Sequence, residues 1–573
     1  MKELSLKDVK LTDEFWAPRL KTNRTVTVWH NFKECERTGR IANFKKAAGL
    51  QSGGFEGIYF NDSDVYKVME GAAYILAQQP DEKLDQYLDD LIAVMAKAQR
   101  DDGYLYTFYQ INGMEQRFTN LKDKHELYCA GHLIEGAVAH HAATGKRAFL
   151  DVAIKLADHI DSVFGPDKRH DVDGHEEIEL ALFKLADATG AEKYRKLGEF
   201  FMHERGRGTN RPLYGPYYQD HKPLEECDAV VGHAVRQMYL LCAAADMALN
   251  GNDKYVAAMT RMWQDMTRGK LYITGGTGAK HEGEAFGEAY ELPNESAYAE
   301  TCAGIGNMLW NQRMNLLTGD AKYADVLEKV LYNGFLSAVS LSGDRFFYVN
   351  PLASKGGHHR VPWFDCACCP PNVVRFMASL PSRVYAVKDG EVTINLYAAG
   401  EATFDVAGQR VKLTQETRYP WDGRVKITTD GAIPALRLRV PGWCDGASFS
   451  HDGRTNTGVA GGSYITISNV PAGHVIELDL PMPIQRVKPD PRVKDNVGRV
   501  AIQRGPIIYC AEGVDNNGAA MNLKLPSDVE LVAEHRADLL GGVTVIKAGD
   551  VTLVPYHAWD NRAAGEMSVW LLE

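Results

Sequence analysis

No stretch of the chain approaches the roughly 20 consecutive apolar residues that a membrane-spanning helix needs. The first residues, Met1-Lys2-Glu3-Leu4-Ser5-Leu6, turn polar and acidic at once. They lack the apolar core of about 7–15 residues that marks a secretory leader. Basic residues form no concentrated block and the net charge is −11, which argues against nucleic acid as the main partner. Cysteine is sparse, with 10 in 573 residues, far below the density of a disulfide scaffold. These absences lead to the expectation of a cytoplasmic protein with no membrane segment, whose thiols stay reduced. They leave a monomer or a homodimer open.

The chain is too long for one core, so two to four domains are expected, and 45% hydrophobic residues is an ordinary globular share. A helical period dominates from about residue 62 to 384. Asp64 to Tyr74 sets apolar residues at i, i+3, i+4 and i+7, and Leu84 to Met95 does the same. The helical segments break at Thr144-Gly145, Thr189-Gly190, Asn250-Gly251 and Thr318-Gly319. Each glycine is followed four residues later by an aromatic: Phe149, Tyr194, Tyr255, Tyr323. Glycine belongs at a left-handed helix C-cap, and the aromatic re-enters the core on the next helix. The repeat therefore reads as stacked αα-hairpins. Its irregular spacings of 45, 61 and 68 residues suit a closed toroid with long loops on one face better than an open solenoid.

After about residue 385 the period changes to two. Glu391–Tyr397, Leu436–Val440 and Tyr464–Ile467 alternate apolar and polar residues between Gly, Asp and Pro turns, as short strands do. The expected class is a multidomain α and β protein with a helical toroid at 1–384, opened by a short strand within 1–12. A β-sandwich at 385–488 and a second at 489–573 follow, the closing strand being free to return to the first.

Chemistry concentrates at two places. Cys366-Ala367-Cys368-Cys369-Pro370-Pro371-Asn372 packs three thiols into four positions, and Glu300-Thr301-Cys302 lies upstream. Proline is tolerated in a first helical turn, so a helix is predicted to start at Pro370 or Pro371, with Cys369 near its N-cap. Unpaired N–H groups and the helix dipole there favour a thiolate. Glu300 and Cys302 would point about 200° apart in mid-helix but converge at a helix entrance. Glu300, Cys302, Cys368 and Cys369 then make an O,S,S,S set, which by ligand softness suits Zn2+. Such a set leaves no open position for an activated water, so in a catalytic centre one thiolate would itself be the nucleophile. A general acid could come from the loop carrying Glu282, Glu284, Glu288 and Glu291. Glu284, between Gly283 and Ala285-Phe286, is placed for burial that raises its pKa. His132, His175 and His233 each follow a glycine at an expected helix start and are candidate sugar contacts. The Gly-rich loops at 53–57, 101–106 and 275–278 lack the strand-before, helix-after context of a nucleotide loop.

Glu-Thr-Cys-Ala at 300–303, Cys-x-Cys-Cys-Pro-Pro-Asn at 366–372 and Gly-Glu-Ala-Phe-Gly at 283–287 resemble glycoside hydrolase family 127, the β-L-arabinofuranosidase family. The resemblance implies an (α/α)6 barrel with C-terminal β-sandwiches. It implies a retaining glycosidase with zinc on Glu300, Cys302, Cys368 and Cys369, and a small carbohydrate substrate. In that likeness Cys368 is the nucleophile, Glu284 the acid/base, and Cys366 non-ligating. His132, His175, His233 and Tyr348 would contact sugar. The family also includes members acting on other furanose-type or branched sugars. A hexose epimerase or unsaturated-uronyl hydrolase on the same toroid would not need the cysteine cluster, and a zinc-stapled carbohydrate-binding protein would not need Glu284.

Overall fold

A computed structural model describes all 573 residues. Six helices form a closed inner ring: Asp62–Gln78, Glu126–Thr144, Ile178–Thr189, Ala234–Leu249, Thr301–Thr318 and Cys369–Ser379. Each packs on the next, and the last returns to the first. Six more lie outside them: Val28–Arg37, Glu82–Ala98, Ala148–Val163, Glu192–Glu204, Val256–Gly269 and Ala321–Lys329. The two layers read differently in sequence because they are buried differently. The outer helix Glu82–Ala98 buries one stripe, Leu84, Leu88, Leu91, Ile92 and Met95. The inner helix Glu126–Thr144 is buried nearly all round and carries small and apolar residues on every face. This is the (α/α)6 toroid.

The glycine breaks do what their spacing requires. Gly145, Gly190 and Gly319 cap inner helices in the left-handed conformation at φ 77°, 68° and 70°. Phe149, Tyr194, Tyr255 and Tyr323 are all buried. No helix is long and apolar enough to cross a membrane.

The first eleven residues do not belong with the toroid, where the sequence reading put them. Lys2–Glu3 pairs antiparallel with Tyr385–Lys388, and Val9–Leu11 pairs with Gly400–Val406. They complete the two facing sheets of the first β domain, one of five strands and one of seven. The C-terminal domain is built on a nine-stranded sheet. Its last strand, Leu571–Leu572, pairs with Arg499 and Val500 and so stays within its own domain. This domain also takes in a barrel segment: Ala353–Ser354 pairs with Met567–Ser568. The long loop between the last outer and last inner helices is thereby pinned to it.

Candidate active site

The six inner helices start at one mouth of the toroid, and their N-caps are Asn61, His125, Glu177, His233, Glu300 and Cys368. Four of these six, His125, His233, Glu300 and Cys368, line one cavity of about 270 Å³. The positive ends of the helix dipoles converge on it, which favours anions there.

The last inner helix begins at Cys369, with Cys368 as N-cap and the prolines in the first turn. This is one residue earlier than the prolines alone suggest, because proline also fits the second and third helical positions, whose N–H groups are equally unpaired. The shift separates the two thiols. Cys369 is fully buried, whereas Cys368 is partly open and lines the cavity. Glu300 caps the Thr301–Thr318 helix in extended backbone, and Cys302 follows in its first turn. Asn350 donates to Ala299 O and Thr301 Oγ1 (2.9 and 3.0 Å) and holds that turn against the Tyr348 segment.

Glu300, Cys302, Cys368 and Cys369 present donor atoms that all lie within 4.8 Å of one another. Cys302 Sγ to Cys369 Sγ is 3.5 Å and Cys368 Sγ to Cys369 Sγ is 3.8 Å. Glu300 Oε1 stands 3.5 Å from Cys368 Sγ and 3.7 Å from Cys369 Sγ, while its Oε2 is buried with no partner. Four acids this close cannot all ionise unaided. Burial and the Glu284 charge push Glu300 well above the usual carboxylate range. Burial and the neighbouring thiols push Cys369 up. Burial works against the Cys302 thiolate too, but hydrogen bonds from Cys368 and Cys369 outweigh it and bring that thiol to about 6. Buried Lys67, held by Tyr128 Oη at 3.1 Å, adds a positive charge beneath them. The group can hold one soft divalent cation.

Glu284 stands at φ +52° directly after Gly283 at φ +67°, a backbone few side-chain-bearing residues adopt. A Cβ on Gly283 would lie 2.9 Å from the Tyr217 ring. A single bridge from Ala285 to His233 and the bond Phe286 N to Gly232 O (2.9 Å) fix the loop to the next helix start. The carboxylate accepts from His233 Nε2 (2.6 Å), Tyr298 Oη (2.6 Å) and Tyr348 Oη (3.3 Å). His233 Nδ1 accepts from Val235 N at 3.1 Å, which leaves Nε2 as the N–H that donates. Burial raises the Glu284 pKa, as its sequence context suggests. The His233 hydrogen bond and charge, then the two tyrosines, outweigh it and bring the group to about 2. The expected upward shift is thus reversed by donors that lie far away in sequence. Glu282, Glu288 and Glu291 are exposed and do not line the cavity.

Tyr348 Oη lies 3.1 Å from Cys368 Sγ as well as 3.3 Å from Glu284, so one hydroxyl touches both groups. Cys366 Sγ is 3.8 Å from the same oxygen, outside the four-donor group. His175 lines the cavity with His233. His132 does not. It lies in the second turn of its helix, fully buried, with Nδ1 3.0 Å from Glu177 inside the barrel. The structure sets His125 at the mouth instead.

A family model described as the β-L-arabinofuranosidase GH127 catalytic domain matches residues 8–382. The GH127 middle and C-terminal domain models match 391–482 and 484–572. The chain belongs to glycoside hydrolase family 127. It is 37% identical to the non-reducing end β-L-arabinofuranosidase of Bifidobacterium longum subsp. longum, over 92% of each chain. The crystal structure of a GH127 β-L-arabinofuranosidase from Geobacillus stearothermophilus T6 superposes with a TM-score of 0.93 at 40% identity, covering 99% of this chain and 100% of that one. A second GH127 β-arabinofuranosidase structure gives 0.95 at 42% identity, covering 100% and 98%.

The sequence reading of this family 127 site overlooked His125, Tyr298 and Arg236. His125 occupies a left-handed position (φ +57°) between the short helix Leu121–Lys124 and Glu126–Thr144. Arg236 lies one turn inside the helix that His233 caps. It stacks over Tyr217 and Tyr218 at 4.7 and 4.9 Å, and its buried Nε and Nη1 have no partner. It pairs with no carboxylate, so it is a free cation on the cavity wall. Burial holds His125 and His175 well below the usual imidazole pKa, so both present neutral rings.

Proposed function

We propose that the chain removes L-arabinofuranose from the non-reducing end of β-L-arabinofuranosides with retention of configuration, using Cys368 as nucleophile and Glu284 as acid and base. Zinc is the metal proposed for Glu300, Cys302, Cys368 and Cys369. The observation that carries this reading is that three of the four donors, Glu300, Cys302 and Cys368, line the sugar-sized cavity, and that Cys368, the one donor of the four that is not buried, stands beside Glu284 there.

The donor set fits the ion on spacing. Tetrahedral zinc, at about 2.3 Å from sulfur and about 2.0–2.2 Å from oxygen, sets S···S edges near 3.8 Å and S···O edges near 3.5 Å. The edges given above run from 3.5 to 3.8 Å. The unpartnered Glu300 Oε2 and the mutual suppression of ionisation fit equally well. A bound zinc supplies positive charge that keeps the thiols ionised and oriented.

The spacing supports retention. Cys368 Sγ and Glu284 Oε1 both touch Tyr348 Oη, so they lie closer than the about 6.5–9.5 Å kept by an inverting pair. In the first step the Cys368 sulfur forms a bond to the anomeric carbon as the glycosidic C–O bond breaks. The electron pair of that bond goes to the leaving oxygen, which takes a proton from Glu284 Oε1. In the second step Glu284 removes a proton from water, the water oxygen bonds to the anomeric carbon, and the Cys368 thiolate leaves. Glu284 and Glu300 are coupled, each charge opposing the other. Once Glu300 is fixed as an anionic ligand, the proton preference of the pair moves to Glu284, as the first step needs. Neutral His125 and His175, together with Tyr348, bind and orient the sugar hydroxyls, whereas His233, with both ring nitrogens taken by Glu284 and Val235 N, positions the acid/base. Ten unpaired cysteines suit a reducing, cytoplasmic setting.

The test is hydrolysis of p-nitrophenyl β-L-arabinofuranoside, with metal analysis of the same sample. Release of nitrophenol with about one zinc per chain is expected. No turnover on this glycoside would overturn the substrate reading, and a zinc-free active enzyme would overturn the metal.

A further inference from the structure

The first β-sandwich carries a second convergence of ligand-type side chains, none of which lines the barrel cavity: His451, Asp452 and His474. His451 ends the strand Ala447–His451. Asp452 and Gly453 form a two-residue turn, both at positive φ (51° and 68°), before the chain returns at Arg454. His474 immediately precedes Val475–Asp479, the strand that pairs with Ala447–His451 on its other side. Three side chains from two adjacent turns thus meet at one end of one sheet.

His451 Nδ1 is in direct contact with His474 Nε2, and the rings cross at 78° with centroids 4.4 Å apart. Asp452 reaches the other nitrogen of each ring: Oδ2 is 3.4 Å from His451 Nε2 and Oδ1 is 3.4 Å from His474 Nδ1. A carboxylate only accepts, so it favours N–H on both of those outer nitrogens. With both outer nitrogens protonated and the rings neutral, the two nitrogens that face each other both carry lone pairs; a proton on either one would make the contact a ring-to-ring hydrogen bond. Two lone pairs in contact repel unless a positive centre lies with them.

We propose that His451 and His474 bind a divalent transition-metal ion on the surface of the first sandwich, with Asp452 orienting both rings. A ligating imidazole usually donates its other N–H to a carboxylate, which fixes its tautomer, and here one carboxylate stands 3.4 Å from the outer nitrogen of each ring, near enough for its charge to favour a proton on both. Imidazole nitrogens select Ni2+, Cu2+ and Zn2+ over the hard cations. Water completes the coordination, because the cluster is partly open to solvent. The ion ties the Asp452-Gly453 hairpin to the neighbouring turn, so it braces the sandwich and takes no part in hydrolysis.

The test uses the full chain and Ni2+ as probe, with equilibrium dialysis followed by metal quantification. Wild type should take up one equivalent more than either His451→Gln or His474→Gln, while both variants keep full glycosidase activity. Asp452→Asn should keep the ligands but weaken uptake by about 10–100-fold. Saturating Ni2+ should raise the thermal midpoint of wild type and leave that of either histidine variant unmoved. Co2+ absorption separates this site from the thiols, since only the thiols give a sulfur charge-transfer band. Equal Ni2+ uptake by wild type and both histidine variants would overturn the proposal. So would loss of the extra equivalent in Cys302→Ser.

Discussion

At the scale of single residues, the two adjacent thiols are told apart by exposure: Cys368 faces the cavity and Cys369 is sealed behind it. Cys368→Ser should therefore lower turnover by at least about 10³-fold, the usual cost of losing a nucleophile. Cys366→Ser should stay within severalfold of wild type, since that sulfur lies outside the four-donor group. Glu284→Gln should lose far more activity on alkyl glycosides than on activated aryl glycosides, because only the former need their leaving oxygen protonated. Equal loss on both would move the role elsewhere. Tyr298 donates to Glu284 at 2.6 Å and so stabilises its ionised form. Tyr298→Phe removes that donor, which raises the proton affinity of Glu284. The first step needs Glu284 protonated, so the alkaline limb of kcat/KM should move to higher pH. A limb that stays put or moves lower would contradict the assignment.

At the scale of elements, the site is a ring of helix starts, and glycines decide whether those starts are in place. Gly145 caps an inner helix at φ +77° with open space around it, so Gly145→Ala should cost only the backbone strain, about 1 kcal/mol, and leave kcat unchanged. Gly283 combines φ +67° with the close Tyr217 ring. Gly283→Ala should displace Glu284 and lower kcat by about tenfold or more with little loss of stability. Elements also set what could be read from sequence. The toroid was legible because each Thr/Asn-Gly break and its following aromatic mark a hairpin, and the metal candidates because three thiols in four residues have few other uses. The β domains were legible by their period of two. His125 was hidden because helix Leu121–Lys124 runs almost directly into Glu126–Thr144, and a glycine at 131 imitates a later start. That same imitation put His132 at the mouth rather than one turn below it. The ionisation of Glu284 was unreadable because its three donors, His233, Tyr298 and Tyr348, come from three different segments.

At the scale of the whole molecule, the C-terminal domain acts on the site from outside the barrel. Phe347, next to Tyr348, stacks on Trp559 at 4.9 Å. Tyr556 Oη donates to Pro351 O at 2.9 Å, and Arg360 N donates to Asp560 Oδ2 at 2.7 Å. The loop carrying Tyr348 is thus held by a domain that contributes no residue to the cavity. Trp559→Ala should leave a folded enzyme with unchanged zinc content and a kcat lower by about tenfold, a positioning effect. The N-terminal strands of the first sandwich, by contrast, were assigned to the barrel because sequence order hides which sheet a short strand joins. In the proposed mechanism the assembly presents the Cys368 sulfur to the anomeric carbon. Its most direct test is to treat the enzyme with an electrophilic arabinofuranose analogue and locate the adduct by peptide mass spectrometry. A single adduct on Cys368, absent in Cys368→Ser, is expected; an adduct on Cys369, Cys366 or a carboxylate would contradict the mechanism.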